Sequence, residues 1–120
     1  MQYMMLIYAA ESAHPDAATP EGEAYMQKYF SVSQEWTERG LMVAGAPLEN
    51  IDSATTVRVR DGKTGTTDGP FAETKEQLGG YYILDCKDLD EAIECAAQIP
   101  TSGVGSIEIR PIRDMGATPE

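Results

Sequence analysis

Apolar residues are not spread evenly along this chain; they fall into short runs whose spacing predicts the elements. Tyr3 to Ala9 is apolar without a polar interruption, which predicts a strand covered on both faces. Ala10 to Thr19 is rich in Ala, Ser, Asp and Pro and reads as a loop. Thr19-Pro20-Glu21 then supplies a capping hydroxyl, proline at the first helical position and an acid in the first turn. The helix it opens should run to about Arg39, burying Met26, Tyr29, Phe30, Ser33 and Trp36, with Gly40 as its left-handed stop. Leu41 to Leu48, interrupted by Gly45 and Pro47, suits an edge strand.

The second half repeats the theme. Thr55 to Arg60 alternates strictly, and Asp61-Gly62 is a favoured two-residue turn into Lys63 to Thr67, so a hairpin is predicted. Leu78 to Cys86 contains Tyr81-Tyr82-Ile83-Leu84, again apolar on both faces. Asp88-Leu89-Asp90-Glu91 opens a second helix with a stripe of Leu89, Ala92, Ile93, Ala96 and Ala97, ended by Pro100. Ser106 to Ile112 alternates as the last strand, with Ile107 and Ile109 on one face and Glu108 and Arg110 on the other.

The order β-α-β-hairpin-β-α-β, with right-handed crossovers, places both helices on one face of an antiparallel sheet. An α+β, ferredoxin-like fold over residues 1–120 as one domain is therefore expected, with the hairpin as an insertion. Its two central strands should be the two segments that are apolar on both faces. Two helices cover one face only, so a second copy of the chain is the expected cover for the other, giving a homodimer whose sheets face each other or close into a barrel.

Composition adds exclusions. Twenty acidic against nine basic residues give a net charge of −11, which disfavours nucleic acid and anionic membrane surfaces as partners. Two cysteines, Cys86 and Cys95, do not make a disulfide scaffold or a Cys-x-x-Cys pair, so buried reduced thiols are expected. The first ten residues lack a basic leader and the apolar run is too short to span a bilayer, which suggests a cytoplasmic protein. Phosphate-loop and dinucleotide patterns are absent, and one loop histidine, His14, gives little basis for a metal site; no cofactor is expected.

The segment from Thr67 to Tyr81, Thr-Asp-Gly-Pro-Phe-Ala-Glu-Thr-Lys-Glu-Gln-Leu-Gly-Gly-Tyr, resembles the signature of the YCII-related family, in the branch marked by an Asp-Gly-Pro-Phe motif. Met4 to Tyr8, Thr56 to Gly62 and Glu108 to Ile112 extend the likeness over nearly the whole chain. The resemblance implies a dimeric α+β barrel. By analogy with distant relatives of that fold, among them small isomerases, lactone-forming enzymes and metal-independent monooxygenases, it also implies small-molecule chemistry. It further suggests a regulatory setting, because genes of this branch commonly neighbour those of alternative sigma factors. His14 matches no motif position, so the histidine–aspartate pair attributed to some YCII-like proteins is not expected here.

Asp68 is the leading candidate for acid–base chemistry in a cleft, held by Gly69 and Pro70; its structural alternative is a turn residue accepting a hydrogen bond from the backbone two residues on. Glu73 and Lys75 are candidate substrate-binding groups beside it, against the plain reading of a solvated charge run with Glu76. Arg58 would clamp a carboxylate if it faced the cleft; otherwise it, Arg60 and Arg110 should make cross-strand pairs with residues such as Glu108. Tyr3, Tyr8, Tyr81 and Tyr82 read as core or interface aromatics. The expectation is thus a cofactor-independent enzyme acting on a small molecule, with a non-catalytic ligand-binding or regulatory module working with a sigma factor as the alternative.

Overall fold

A computed structural model describes residues 1–115. Eight elements follow in order: β1 Gln2–Ala9, α1 Pro20–Glu38, β2 Met42–Pro47, β3 Thr55–Arg60, β4 Lys63–Asp68, β5 Gln77–Asp85, α2 Leu89–Gln98 and β6 Ser106–Pro111. Strands β2, β5, β1 and β6 form one antiparallel sheet in that spatial order, and β3 pairs only with β4. This is the ferredoxin-like α+β arrangement with an inserted hairpin. The central strands are β1 and β5, the two segments whose apolar runs pointed there.

Local chemistry sets the ends of the elements. The Thr19 hydroxyl accepts from the Gly22 amide (3.1 Å) to cap α1, and the Asp88 carboxylate accepts from the Glu91 amide (2.9 Å) to cap α2. Gly40, with φ of 75°, turns the chain out of α1. Asp61 (φ 54°) and Gly62 (φ 74°) occupy the left-handed pair of positions that closes the hairpin.

The core lies between the helices and one sheet face. Tyr3, Met5, Ile7 and Ala9 of β1 are buried there with Leu84, Cys86, Trp36, Ala92, Cys95, Ala96 and Ile99. The helical stripes differ from the expected ones. Met26 and Phe30 are exposed, and α1 instead turns Tyr25, Tyr29, Val32 and Trp36 toward the sheet. On α2, Leu89, Ile93 and Ala97 face out, while Ala92, Cys95, Ala96 and the following Ile99 face in. Small residues let α2 approach the sheet closely, and the two bulky aromatics Tyr29 and Trp36 fix the rotation of α1. Both cysteines are buried and unpaired, as expected.

An aromatic cluster joins the helical layer to the sheet. Tyr82 stacks on Tyr29 (6.4 Å between centroids), meets Trp36 edge-on (5.0 Å) and shares a 3.0 Å hydrogen bond with Ser33. The Tyr25 and Tyr29 hydroxyls both lie 2.5 Å from Oγ1 of Thr101, which is fully buried in the turn before β6. One hydroxyl proton cannot serve two phenols, so at least one tyrosine donates to Thr101. Thr101→Val keeps the volume but strips both phenols of this partner; we expect a loss of about 1–3 kcal/mol, read from the urea midpoint.

Burial pushes the Tyr29 phenol up from 10.0 to about 12, against the lowering effect of its Thr101 hydrogen bond, and pushes the Cys86 thiol from 9.0 to about 12. The folded chain therefore holds these protons at pH values where the unfolded chain has lost them. Stability should be unaffected by either group below their ordinary values and should fall as the pH rises from about 9 toward about 12. Denaturant midpoints measured across that window check this, and Tyr29→Phe should flatten the curve between 10 and 12.

The other sheet face is different. Met4, Leu6 and Tyr8 alternate with the core residues of β1 and are half-buried, opposite Ile83, Tyr81 and Leu78 of β5. Arg110, Glu108 and Ser106 of β6 complete this face, and the two charged side chains make no ion pair with each other. No helix among the described residues covers it. No helix among the described residues is long and apolar enough to cross a membrane.

Candidate functional site

Where β1 and β5 end, the register slips by one residue: Ile7 faces Gly80 but Tyr8 faces Leu78, leaving Gly79 as a bulge. On the other side of β5, the Gly79 carbonyl accepts from the Leu48 amide (2.9 Å), one step beyond the Pro47–Gly80 pair of β2 and β5, and so holds the start of the loop after β2 beside the bulge. That loop makes a single turn at Ile51–Ser53, held by the Glu11 carboxylate accepting from the Ile51 amide (2.8 Å).

A second loop, between β4 and β5, faces it. Gly69, with φ of 98°, donates its amide to the Ala54 carbonyl (2.7 Å), and the Thr56 hydroxyl donates to the Gly69 carbonyl (2.8 Å). The far end of this loop is pinned by the Thr74 hydroxyl on the Glu76 carbonyl (2.6 Å), the Gln77 side-chain Nε2 on the Thr74 carbonyl, and the Ser106 hydroxyl on the Glu76 carboxylate (2.9 Å).

Between these loops lies an open cleft of about 620 Å³. Its floor is Tyr8 and Leu78, and Leu48, Ile51, Pro70 and Phe71 make apolar walls. The volume falls in the range of small-molecule sites, which are lined mainly by apolar groups with a few polar ones. Here the polar groups in the lining include Gln77, Asn50 and the Tyr8 phenol.

The four residues singled out from the sequence are not brought together in the single chain. Asp68 ends β4, is exposed, and stands just outside the cleft wall that begins at Pro70. Its carboxylate makes no hydrogen bond or ion pair among the described residues, and the backbone cap expected two residues on is impossible because Pro70 has no amide hydrogen. Gly69 makes the turn instead. Arg58 pairs with Gly65 in the hairpin, on the ribbon face opposite to Asp68, whose partner is Thr55. With Arg60 and Lys63 it borders a separate shallow depression of about 360 Å³, and the cross-strand ion pairs expected for the arginines are not made. Glu73 and Lys75 are exposed in the Pro70–Gln77 loop and line neither cavity. His14 lies edge-on to Tyr25 (5.7 Å). No group of three or more His, Cys, Asp or Glu side chains among the described residues is placed to hold a metal ion.

The residues that line the cleft were legible only in part. Pro70 and Phe71 belong to the Asp-Gly-Pro-Phe segment, and Tyr8 reads as an interface aromatic; Leu48 and Ile51 carry no motif at all. The sequence profile of the YCII-related domain matches residues 1–116. The chain belongs to the YCII-related family. The uncharacterized protein R00369 of Rhizobium meliloti (strain 1021) is 39% identical over 114 residues, covering 93% of this chain and 92% of that protein. A solved structure of the 5-chloro-2-hydroxyhydroquinone dehydrochlorinase TftG from Burkholderia phenoliruptrix AC1100, in complex with 2,5-dihydroxybenzoquinone, aligns with a TM-score of 0.46 at 15% identity, covering 94% of each chain.

Proposed function

We propose that this YCII-related protein binds a small, largely apolar molecule in the cleft between the Leu48–Ala54 and Pro70–Leu78 loops, and that it does so as a homodimer joined through the open sheet face. The observation that carries the reading is the cleft itself, with apolar walls and a few hydrogen-bonding groups at one end of the sheet. Tyr8 belongs to both the cleft floor and the open face, so a copy seated on that face would sit beside the ligand.

Asp68 is the group we assign to acid–base chemistry. Its carboxylate is unpaired and lies two residues from the wall residue Pro70, so a ligand reaching the cleft rim on that side could meet it. No cofactor is part of this reading. Arg58, Glu73 and Lys75 would serve binding only if the arrangement of two copies brought them to a ligand.

The test is ligand-observed NMR with indole and phenol as neutral aromatic probes. Binding to the wild type with a Kd on the order of 1 mM, and its loss in Ile51→Trp at unchanged thermal stability, is the expected result. Absence of binding, or binding that persists when tryptophan fills the cleft, overturns the reading. A non-catalytic module that docks a sigma factor is favoured by one observation, the 78% exposure of the Phe71 side chain. In that case calorimetric titration with a purified alternative sigma factor should release heat, and Phe71→Ser should abolish it.

A further inference from the structure

The β3–β4 hairpin is an arm without a seat in its own chain. It forms a separate two-stranded sheet and packs substantially against no other element. The molecule is correspondingly wide and thin, 48 × 46 × 20 Å. Its radius of gyration is 16.4 Å, against about 13.6 Å expected for a compact chain of this length. An isolated two-stranded hairpin is marginal in water, and this one has six residues in each strand, all but Thr56 exposed.

The two faces of the arm differ. Val57 and Val59 project on one side and are 59% and 58% exposed, an unusual state for β-branched residues directly opposite threonines. Arg58, Arg60 and Lys63 project on the other side and take no part in an ion pair among the described residues. With Asp61 and Asp68 included, the arm carries a net +1 in a chain whose total is −11. Glu49 lines the cleft, and Asp52 and Glu73 lie in its two loops without lining it; all three are exposed carboxylates that make no ion pair among the described residues. Two whole chains of −11 repel at long range, as such a chain repels nucleic acid and anionic lipid, but the arm's basic side chains have local counter-charges in these carboxylates on a second copy.

We infer that the β3–β4 arm of one copy packs its Val57 and Val59 side chains against a second copy of this chain, so that each molecule of the pair grips the other. Burying these two valines stabilises the pair and the hairpin together, because neither is well satisfied alone. This rests on the homodimer proposed above, yet it can fail while that dimer stands.

The test places the photoreactive residue benzoylphenylalanine at position 57 of the full chain, with the same residue at the exposed position 28 of α1 as the comparison. The expected result is a species that sediments as a dimer and gives covalent dimer on irradiation from position 57 but not from position 28. Val57→Ser/Val59→Ser should in parallel weaken the dimer at least tenfold in Kd. A sedimenting dimer that yields no covalent dimer from position 57 overturns the arm and leaves the sheet-face pairing intact. A monomer overturns both, and indole binding to the cleft is read independently of either.

Discussion

Trp36→Ala is expected to cost about 3–5 kcal/mol of folding free energy, a large part of the roughly 5–15 kcal/mol that domains possess. Trp36 is fully buried, meets Tyr82 edge-on at 5.0 Å, and donates its indole N–H to the side-chain amide oxygen Oε1 of Gln98 at 3.1 Å. One side chain thus packs α1 on the sheet and ties it to α2. Alanine removes the packing and leaves a hole beneath a helix whose rotation is set by Trp36 and Tyr29; collapse into that hole is limited by the stacked Tyr82. Trp36→Phe keeps most of the volume and should lose less than half as much. Chemical denaturation followed by circular dichroism measures both, and a shift below 1 kcal/mol for Trp36→Ala would contradict the description of the core.

Leu6→Lys should act almost entirely on association. Leu6 sits in the middle of the open face, between Tyr81 on β5 and Glu108 on β6, and is already half-exposed in one chain. A lysine there has room, and Glu108 on the neighbouring strand offers a counter-charge, so the monomer fold should survive. A two-fold seam through this face would instead bury two lysines. Even with the Glu108 carboxylate beside it, taking the ammonium out of water costs several kcal/mol that the pairing returns only in part, and every 1.4 kcal/mol is tenfold in affinity. The expected outcome is a Kd for the dimer raised at least a hundredfold, with an unchanged far-ultraviolet spectrum. An unaltered sedimentation coefficient would place the pairing elsewhere.

Much of the fold was legible because its signals are local. Thr19-Pro20, Gly40, Asp61-Gly62 and Asp88 act through backbone geometry and capping within a few residues, and each does what its chemistry predicts. The arrangement of the sheet followed from the element order with right-handed crossovers, and the apolar character of Tyr3–Ala9 and Tyr81–Leu84 agreed with it independently. Which apolar residues of a helix face inward was not equally legible. Met26 and Phe30 lie at helical spacing with Tyr29, yet the pairing of Tyr25 and Tyr29 with Thr101 far along the chain rotates α1 away from them. The same holds for Leu89 and Ile93, displaced by the smaller Ala92 and Cys95 that allow close approach to the sheet.

The candidate site was the least legible part, since it is made from loops rather than from a motif. Leu48 and Ile51 are held at the cleft by single contacts to distant parts of the chain, the Leu48 amide on the Gly79 carbonyl and the Ile51 amide on the Glu11 carboxylate. Arg58 is a candidate only if it faces the cleft with Asp68, and the period of two in a strand sends the two to opposite faces of the hairpin. Whether two copies bring these groups back together depends on contacts between chains, which leave a pattern of uncovered apolar residues and no local signature.

If the face formed by Met4, Leu6, Tyr8, Tyr81 and Ile83 is covered by another copy, the mass of the wild-type protein in solution is that of a pair. Sedimentation equilibrium at micromolar concentration should return twice the mass of one chain. A value equal to a single chain, unchanged as the protein is concentrated, would contradict it.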